Sequence, residues 1–432
     1  MLDKVTKYGF DYAFRILLGF LPFYTVLSIF FSQKLGIPGI SFVKEILIIS
    51  MISVVCLAHV TRTKRIVWTR YDIAIGLYVL ILLAITAYTT WVRWALYGGR
   101  YDFFFLLAFF AVFHGFSFLS QPRSYYIRIF LIAGGIMIAI SMLLKWPLSE
   151  DLLLYLGYSG NPSNWQFGST IPVFHGVDGA NVRRFQGLLD GPNSMGAYLL
   201  IYIGIFIYYF RTYKDWYFIM GWVVLGFAIL VLYTYSRSAA LGLIGWVGII
   251  ILFLLPQIYR KYRTQMISLF FICLLVIGGI FVQYAGTMKT LLMRGWSTNG
   301  HMERMKLGIE RFREHPLWQW LWSAGPAYRY VQELTGKSRE EIENIDRKYI
   351  PESWYIQQLI EWWMLWFIAF MSIIILLALW LFRRHILLFG MFLSICIMNM
   401  FLHTFESSIV SLSLFLMIGL FLWHSPRAHE TR

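Results

Sequence analysis

Four short stretches of the chain carry residue types suited to a phosphorylated, hydroxyl-rich substrate. The first runs Arg183-Arg184-Phe185-Gln186-Gly187-Leu188-Leu189-Asp190-Gly191-Pro192-Asn193. Guanidinium forks match phosphate oxygens two at a time, so adjacent arginines make an anion-binding pair. Pro192-Asn193 suits a turn that opens a helix. Anchoring to lipid headgroups would use the same arginines. The second stretch is Tyr233-Thr234-Tyr235-Ser236-Arg237-Ser238-Ala239-Ala240, a very short link between two apolar runs. A charge such as Arg237 at membrane depth is costly and points either to function or to a nearby carbonyl or carboxylate partner. The third holds His301, Arg304 and His315, with His301 and Arg304 on one helix face at three-residue spacing. The fourth is Pro351-Glu352-Ser353-Trp354-Tyr355. Glu352 could accept a proton from a sugar hydroxyl, or simply favour the positive end of a helix dipole.

Further polar groups fall in or beside apolar runs: Lys44, Glu45, Arg100, Asp102, His114, Glu361, His403 and Glu406. Lys44 and Glu45 are placed to neutralise each other, His114 reads as a satisfied interior histidine, and Arg100 could join the arginine group. No histidine–carboxylate cluster has metal-ligand spacing, and no phosphate-cradling loop motif is present, so neither a metal nor a cofactor is expected. Cys56, Cys273 and Cys396 all lie in apolar runs and read as buried thiols rather than as disulfide partners.

The elements that must position these residues are membrane helices. The chain has 432 residues, 59% hydrophobic and only 14% charged, with mean hydropathy +0.64. Soluble domains carry about 25% charged residues, so lipid is the natural solvent here. The apolar runs do not alternate as barrel strands do, which leaves helices. Spans of about 20 apolar residues are expected over roughly 13–31, 39–60, 71–88, 101–119, 126–145, 194–210, 216–234, 238–256, 266–286, 354–382, 386–404 and 407–424, about twelve transmembrane helices in an all-α membrane bundle. Lys4 and Lys7 precede a run long enough to span, with no small-residue cleavage site behind it, so no cleavable signal is expected.

The net charge of +15 would suggest nucleic acid in a soluble protein. Here it follows the positive-inside rule, and no nucleic-acid partner is expected. With the N-terminus inside, the inner loops hold Arg62, Lys64, Arg65 and Arg70; Arg123 and Arg128; Arg211 and Lys214; Arg260, Lys261 and Arg263; Arg383 and Arg384; and the tail with Arg427 and Arg432. The short outer loops hold little beyond Lys34 and Arg93. Both termini are therefore expected on the cytoplasmic side. Two outer segments, 146–193 and 287–353, are too long for simple connectors. The second mixes eleven basic with nine acidic residues. Met302, Met305, Ile309 and Phe312 give it one apolar helix face, and Ser338 with Glu341 is a capping-box signature. A helical lid between the ninth and tenth helices is expected on the outer membrane face. Trp296, Trp318, Trp320, Trp322 and Trp354 surround it and suit sugar stacking, although aromatic belts at membrane interfaces enrich the same residues. There is no internal repeat of the transporter kind.

Together the four stretches resemble the bacterial O-antigen ligase and polymerase superfamily. Arg184-x-x-Gly187 followed by Asp190-x-Pro192-Asn193 looks like its first-loop motif, and Ser236-Arg237-Ser238-Ala239 resembles its tight outer turn. Glu314-His315-Pro316-Leu317 is similar to its lid, and Glu352-Ser353-x-Tyr355-x-Gln357 with Glu361 resembles the entry to its tenth helix. The resemblance covers roughly 180–365 closely. It implies a GT-C-like fold in the bacterial cytoplasmic membrane. The implied reaction takes a glycan from an undecaprenyl diphosphate carrier and transfers it en bloc to a sugar hydroxyl, with inversion and without a metal. In that reaction positive charge stabilises the lipid diphosphate leaving group. Arg184 and Arg237 are the candidates for that role. Arg183, Arg100, His301, Arg304, His315 and Asn193 are candidate substrate contacts, and Glu352 is the candidate acceptor-side base. The family's ligases usually carry histidine where Glu352 stands, and this departure favours a polysaccharide polymerase over a ligase acting on lipid A-core. His301 stands where the lid often has arginine, Trp318–Trp322 replaces a glycine-containing stretch, and Trp363 replaces a glycine.

Two other classes share some of these features. A transporter or flippase of lipid-linked glycans would use the same arginines and apolar bundle, but not a large one-sided lid. A non-catalytic assembly protein binding a chain-length regulator would not depend on Arg184 or Arg237.

Overall fold

The computed structural model describes residues 2–61, 72–77, 100–160, 171–173, 175–177, 180–211, 213, 217–250, 353–361 and 364–422, with parts of 302–313. It is built almost wholly of helices. In chain order they are α1 (Leu2–Phe20), α2 (Tyr24–Ile29), α3 (Val43–Val60), α4 (Phe104–Gly115), α5 (Arg123–Lys145), α6 (Leu152–Tyr155), α7 (Pro192–Phe210), α8 (Tyr217–Tyr233), α9 (Arg237–Ile250), α10 (Trp354–Glu361), α11 (Met364–Arg384), α12 (Ile386–Asn399) and α13 (Ser408–Leu422). Five helical stretches are long and apolar enough to cross a membrane: Thr6–Lys34, Gly39–Val60, Arg123–Lys145, Pro192–Phe210 and Trp366–Arg384. Five shorter apolar helices cover Phe104–Phe118, Ile219–Tyr233, Arg237–Ile250, Ile386–Asn399 and Ser408–Leu422. These ten lie where helices are expected from hydropathy. Of the other two expected positions, 71–88 is described only over 72–77, and 266–286 lies outside the described residues.

Helix is the form that satisfies every backbone N–H and C=O within one segment, as lipid requires. With both solvent and core apolar, the helices associate through close packing and interior polar contacts. Helix α13 is buried along its described length and packs on α4 and α7. Small residues allow the closest approaches. A Cβ on Gly134 of α5 would lie 2.5 Å from the Tyr198 hydroxyl of α7, and one on Gly390 of α12 would lie 2.2 Å from the Trp246 ring of α9. Interior polar groups are bonded across helices. His114 meets Asp72 at 2.5 Å, in keeping with a satisfied interior histidine. The Asp11 carboxylate takes Ser120 Oγ at 2.6 Å and also the Tyr126 hydroxyl and Arg15.

The segment 146–193 departs from the all-α expectation in one detail. Gly176–Val177 and Ala180–Arg183 form a small antiparallel hairpin, with Gly176 opposite Arg183 and Val177 opposite Ala180. Asp178-Gly179 stands between the strands, and Asp-Gly is a strong hairpin signal. The segment 287–353 is described only in part. The described positions between 302 and 313 are helical, Lys306 and Glu310 pair at 3.8 Å, and Met302 and Ile309 are exposed.

Candidate functional site

The two arginine stretches meet. Phe185 N–H donates to Tyr233 O at 3.0 Å, and Arg184 Nε donates to Thr234 O at 2.9 Å. These bonds dock the end of the 146–193 segment onto the link that carries Arg237. Arg184 Nη2 reaches Asn193 Oδ1 at 2.8 Å, in the first turn of α7. One guanidinium thus ties together the loop, the link and the helix start. Arg183 is exposed beside it, and Arg237 is partly buried at the start of α9.

Local chemistry explains each part. Helix α7 opens with Pro192 at its first position, where a missing N–H costs nothing. Gly187 has φ +62°, and a Cβ there would lie 2.4 Å from both Met195 and Ser141, so only glycine fits. The chain is held through that bend by Leu188 N to Ser141 Oγ at 3.2 Å and by Tyr158 OH to Leu188 O at 2.7 Å. On the link, Tyr235 has φ +49°, which costs a non-glycine residue about 1 kcal/mol. Neighbouring bonds hold it there. Ser236 N donates to Thr234 Oγ1 at 3.2 Å, and Ala239 N donates to Ser236 Oγ at 3.3 Å as the cap of α9. Gly196 completes the junction: a Cβ there would lie 2.7 Å from Ala239.

His175 lies outside the four stretches named above. Its carbonyl accepts the Arg184 backbone N–H at 2.8 Å. Burial, then the Arg184 charge, pushes its imidazole down to about 4, so it is neutral near pH 7. Asp190 lies within the first of those stretches. Burial raises its carboxyl above its ordinary value, and the Ser194 hydroxyl opposes this in part.

Arg100 belongs to a different cluster. Its Nε donates to Glu45 Oε1 at 2.5 Å, and its Nη2 donates to Tyr24 OH at 3.0 Å and Ser41 O at 2.6 Å. Lys44 shares the same Glu45 oxygen at 2.7 Å. The expected Lys44–Glu45 neutralisation is thus a three-membered group in which one carboxylate serves two cations. Glu352, His301, Arg304 and His315 lie outside the described residues, as do Trp296, Trp318, Trp320 and Trp322. Trp354 is fully buried, its ring 4.8 Å from that of Phe370 and 5.1 Å from that of Phe405. It is core rather than a stacking platform. Its neighbours on α10 are interior too, with Gln358 Nε2 on Asp102 Oδ1 at 2.7 Å and Gln357 Nε2 on Glu361 Oε1 at 3.0 Å.

No protein-family model matches the chain, and no curated protein matches its sequence.

Proposed function

We propose that this protein is a membrane glycosyltransferase that moves a polyprenyl diphosphate-linked glycan en bloc to a sugar hydroxyl, acting as a surface-polysaccharide polymerase. The observation that carries the reading is the junction at Arg184. Its hydrogen bonds to Thr234 O and Asn193 Oδ1 hold a guanidinium beside the segment bearing Arg237 and at the start of α7. Guanidinium groups and a helix start are both favourable for a diphosphate.

In this reading the chain forms about twelve spans in the bacterial cytoplasmic membrane, with both termini cytoplasmic and the 287–353 segment as an outer lid. The donor is an undecaprenyl diphosphate-linked oligosaccharide, and the acceptor is a second lipid-linked repeat unit. The acceptor hydroxyl attacks the anomeric carbon, the bond from that carbon to the diphosphate oxygen breaks with inversion, and the hydroxyl proton passes to Glu352. Arg184 and Arg237 stabilise the charge that grows on the leaving diphosphate, with Arg183 alongside. His301, Arg304 and His315 would line the acceptor side of the lid.

The test is purified protein with a lipid-diphosphate-linked repeat unit alone, products being resolved by length. A ladder of longer lipid-linked chains that disappears in Glu352→Gln and in Arg237→Ala supports the polymerase. Transfer only after addition of lipid A-core would make it a ligase. No transfer to either acceptor would refute the enzyme reading.

A further inference from the structure

A second polar site lies beside the arginine junction. A cavity of about 290 Å³ opens between α2, the residues before α4, the end of the 146–193 segment and the start of α13; it is lined by Tyr24, Ser28, Arg100, Asp190, Glu406 and Ser407, among others. This is near the lower end of the usual size range for small-ligand sites, about 300–1,000 Å³. Asp190 belongs to both sites. It is among the residues that line the cavity, and three residues on, Asn193 holds Arg184.

Three features point to the ligand. Ser407 is 8% exposed, and its Oγ makes no hydrogen bond among the described residues. Its hydroxyl lies against the Asp190 carboxyl and lowers that group's pKa. Asp190 Oδ1 is likewise shut from solvent and without a partner there. Buried polar atoms left in that state are costly. Next, the charge on the wall is spoken for. Arg100 is tied to Glu45, Tyr24 and the Ser41 carbonyl, while Asp190 and Glu406 add two carboxyl groups to the lining. An anionic ligand would meet those carboxyls with the arginine already engaged. Finally, the lining mixes acceptors, hydroxyls that both donate and accept, and the rings of Tyr24 and Tyr101. A ligand with adjacent hydroxyls and an apolar face answers all three.

We propose that this cavity is a binding subsite for one uncharged sugar ring, whose hydroxyls donate to Asp190 and Glu406. The assignment rests on the glycan-transfer reading for its physiological ligand, which would be a sugar of the growing chain held next to the diphosphate site.

The experiment uses the full chain in a sugar-free amphiphile and saturation-transfer NMR. The probes are methyl glucoside, the methyl glycoside of N-acetylglucosamine, glucuronic acid and inorganic phosphate. At least one neutral glycoside is expected to bind, with glucuronic acid and phosphate weaker by roughly tenfold or more, a difference of about 1.4 kcal/mol. Ser28→Phe, which fills the cavity without changing charge, should abolish the signal. Glu406→Gln should weaken it by roughly tenfold, as loss of a charged hydrogen bond implies. Retained thermal unfolding in Ser28→Phe separates blocked binding from misfolding. Glycoside signals that survive Ser28→Phe, equal binding of glucuronic acid, or a cavity that takes up none of the sugars and holds only water would each overturn the proposal. Sugar binding without glycan transfer would keep the subsite and sink the transfer reading. Unaltered transfer in a Ser28→Phe protein that binds no sugar would keep the transfer reading and overturn the assignment of the cavity to a sugar of the growing chain.

Discussion

Arg100 and Arg184 are held in opposite ways. Arg100 sits on a carboxylate, Glu45, which also serves Lys44. Arg184 donates to a backbone carbonyl and a side-chain amide, both neutral. A carboxylate partner opposes a guanidinium's charge with a full charge of its own, whereas a carbonyl or amide oxygen fixes its position with a dipole alone. The first arrangement suits structure. The second suits a site where an anion must be met, and the comparison is sharpest when each arginine's partners are removed in turn.

The largest effect is expected at the Arg100 cluster. Glu45→Gln leaves Lys44 and Arg100 without their shared carboxylate, and breaking a buried pair costs about 3–5 kcal/mol. Thermal unfolding of the purified variant should show a large loss of stability. An unchanged melting curve would mean that the three-membered group contributes nothing to the fold.

Arg184→Ala should instead spare folding more than function. Loss of one positioned charge at a developing anion costs about 10²–10³ in rate, read as loss of polymer product at matched expression. Arg184→Lys should fall between, because an ammonium cannot span Thr234 O and Asn193 Oδ1 as a fork does. The contrast with Arg100 fails if Arg184→Ala retains full product formation.

Gly187→Ala should destabilise by about 1–2 kcal/mol, from the left-handed backbone together with the contact with Ser141 and Met195. Thermal unfolding checks this, and a gain in stability would show that the bend relaxes.

The smallest effects are in pH dependence. His175 has a depressed imidazole pKa of about 4 against about 6.5 unfolded. Its contribution to stability is present above pH 6.5 and is lost as pH falls towards 4, so His175→Gln should flatten the melting temperature across that window. Asp190 has the opposite sign. Its carboxyl is raised by burial, so its contribution is present at low pH and is lost as pH rises through the folded value. Asp190→Asn should therefore melt slightly higher than wild type at pH 7 while losing sugar binding. Lower melting at pH 7 would show that the carboxylate is a net stabiliser.

The helical membrane character was legible in the amino-acid sequence, because apolar runs of span length admit only one way of satisfying a backbone in lipid. Ten expected positions coincide with described apolar helices for that reason. The start of α7 at Pro192 was legible too, from the fixed φ of proline. The hairpin at Gly176–Arg183 left a trace, Asp178-Gly179, that hydropathy passes over, since two short strands carry almost no periodic signal. Contacts across long sequence separations were not legible. Local spacing says nothing about which carbonyl Arg184 will meet fifty residues on, or that Arg100 will fold onto Glu45 and away from the other arginines. Trp354 illustrates the same limit: its type suits sugar stacking, and only packing against Phe370 and Phe405 places it in the core. Residue types and short-range spacing determined the helices and the candidate chemistry. The tertiary structure decided that Arg100 meets a carboxylate while Arg184 meets a carbonyl and an amide, because those partners come together only when the chain folds.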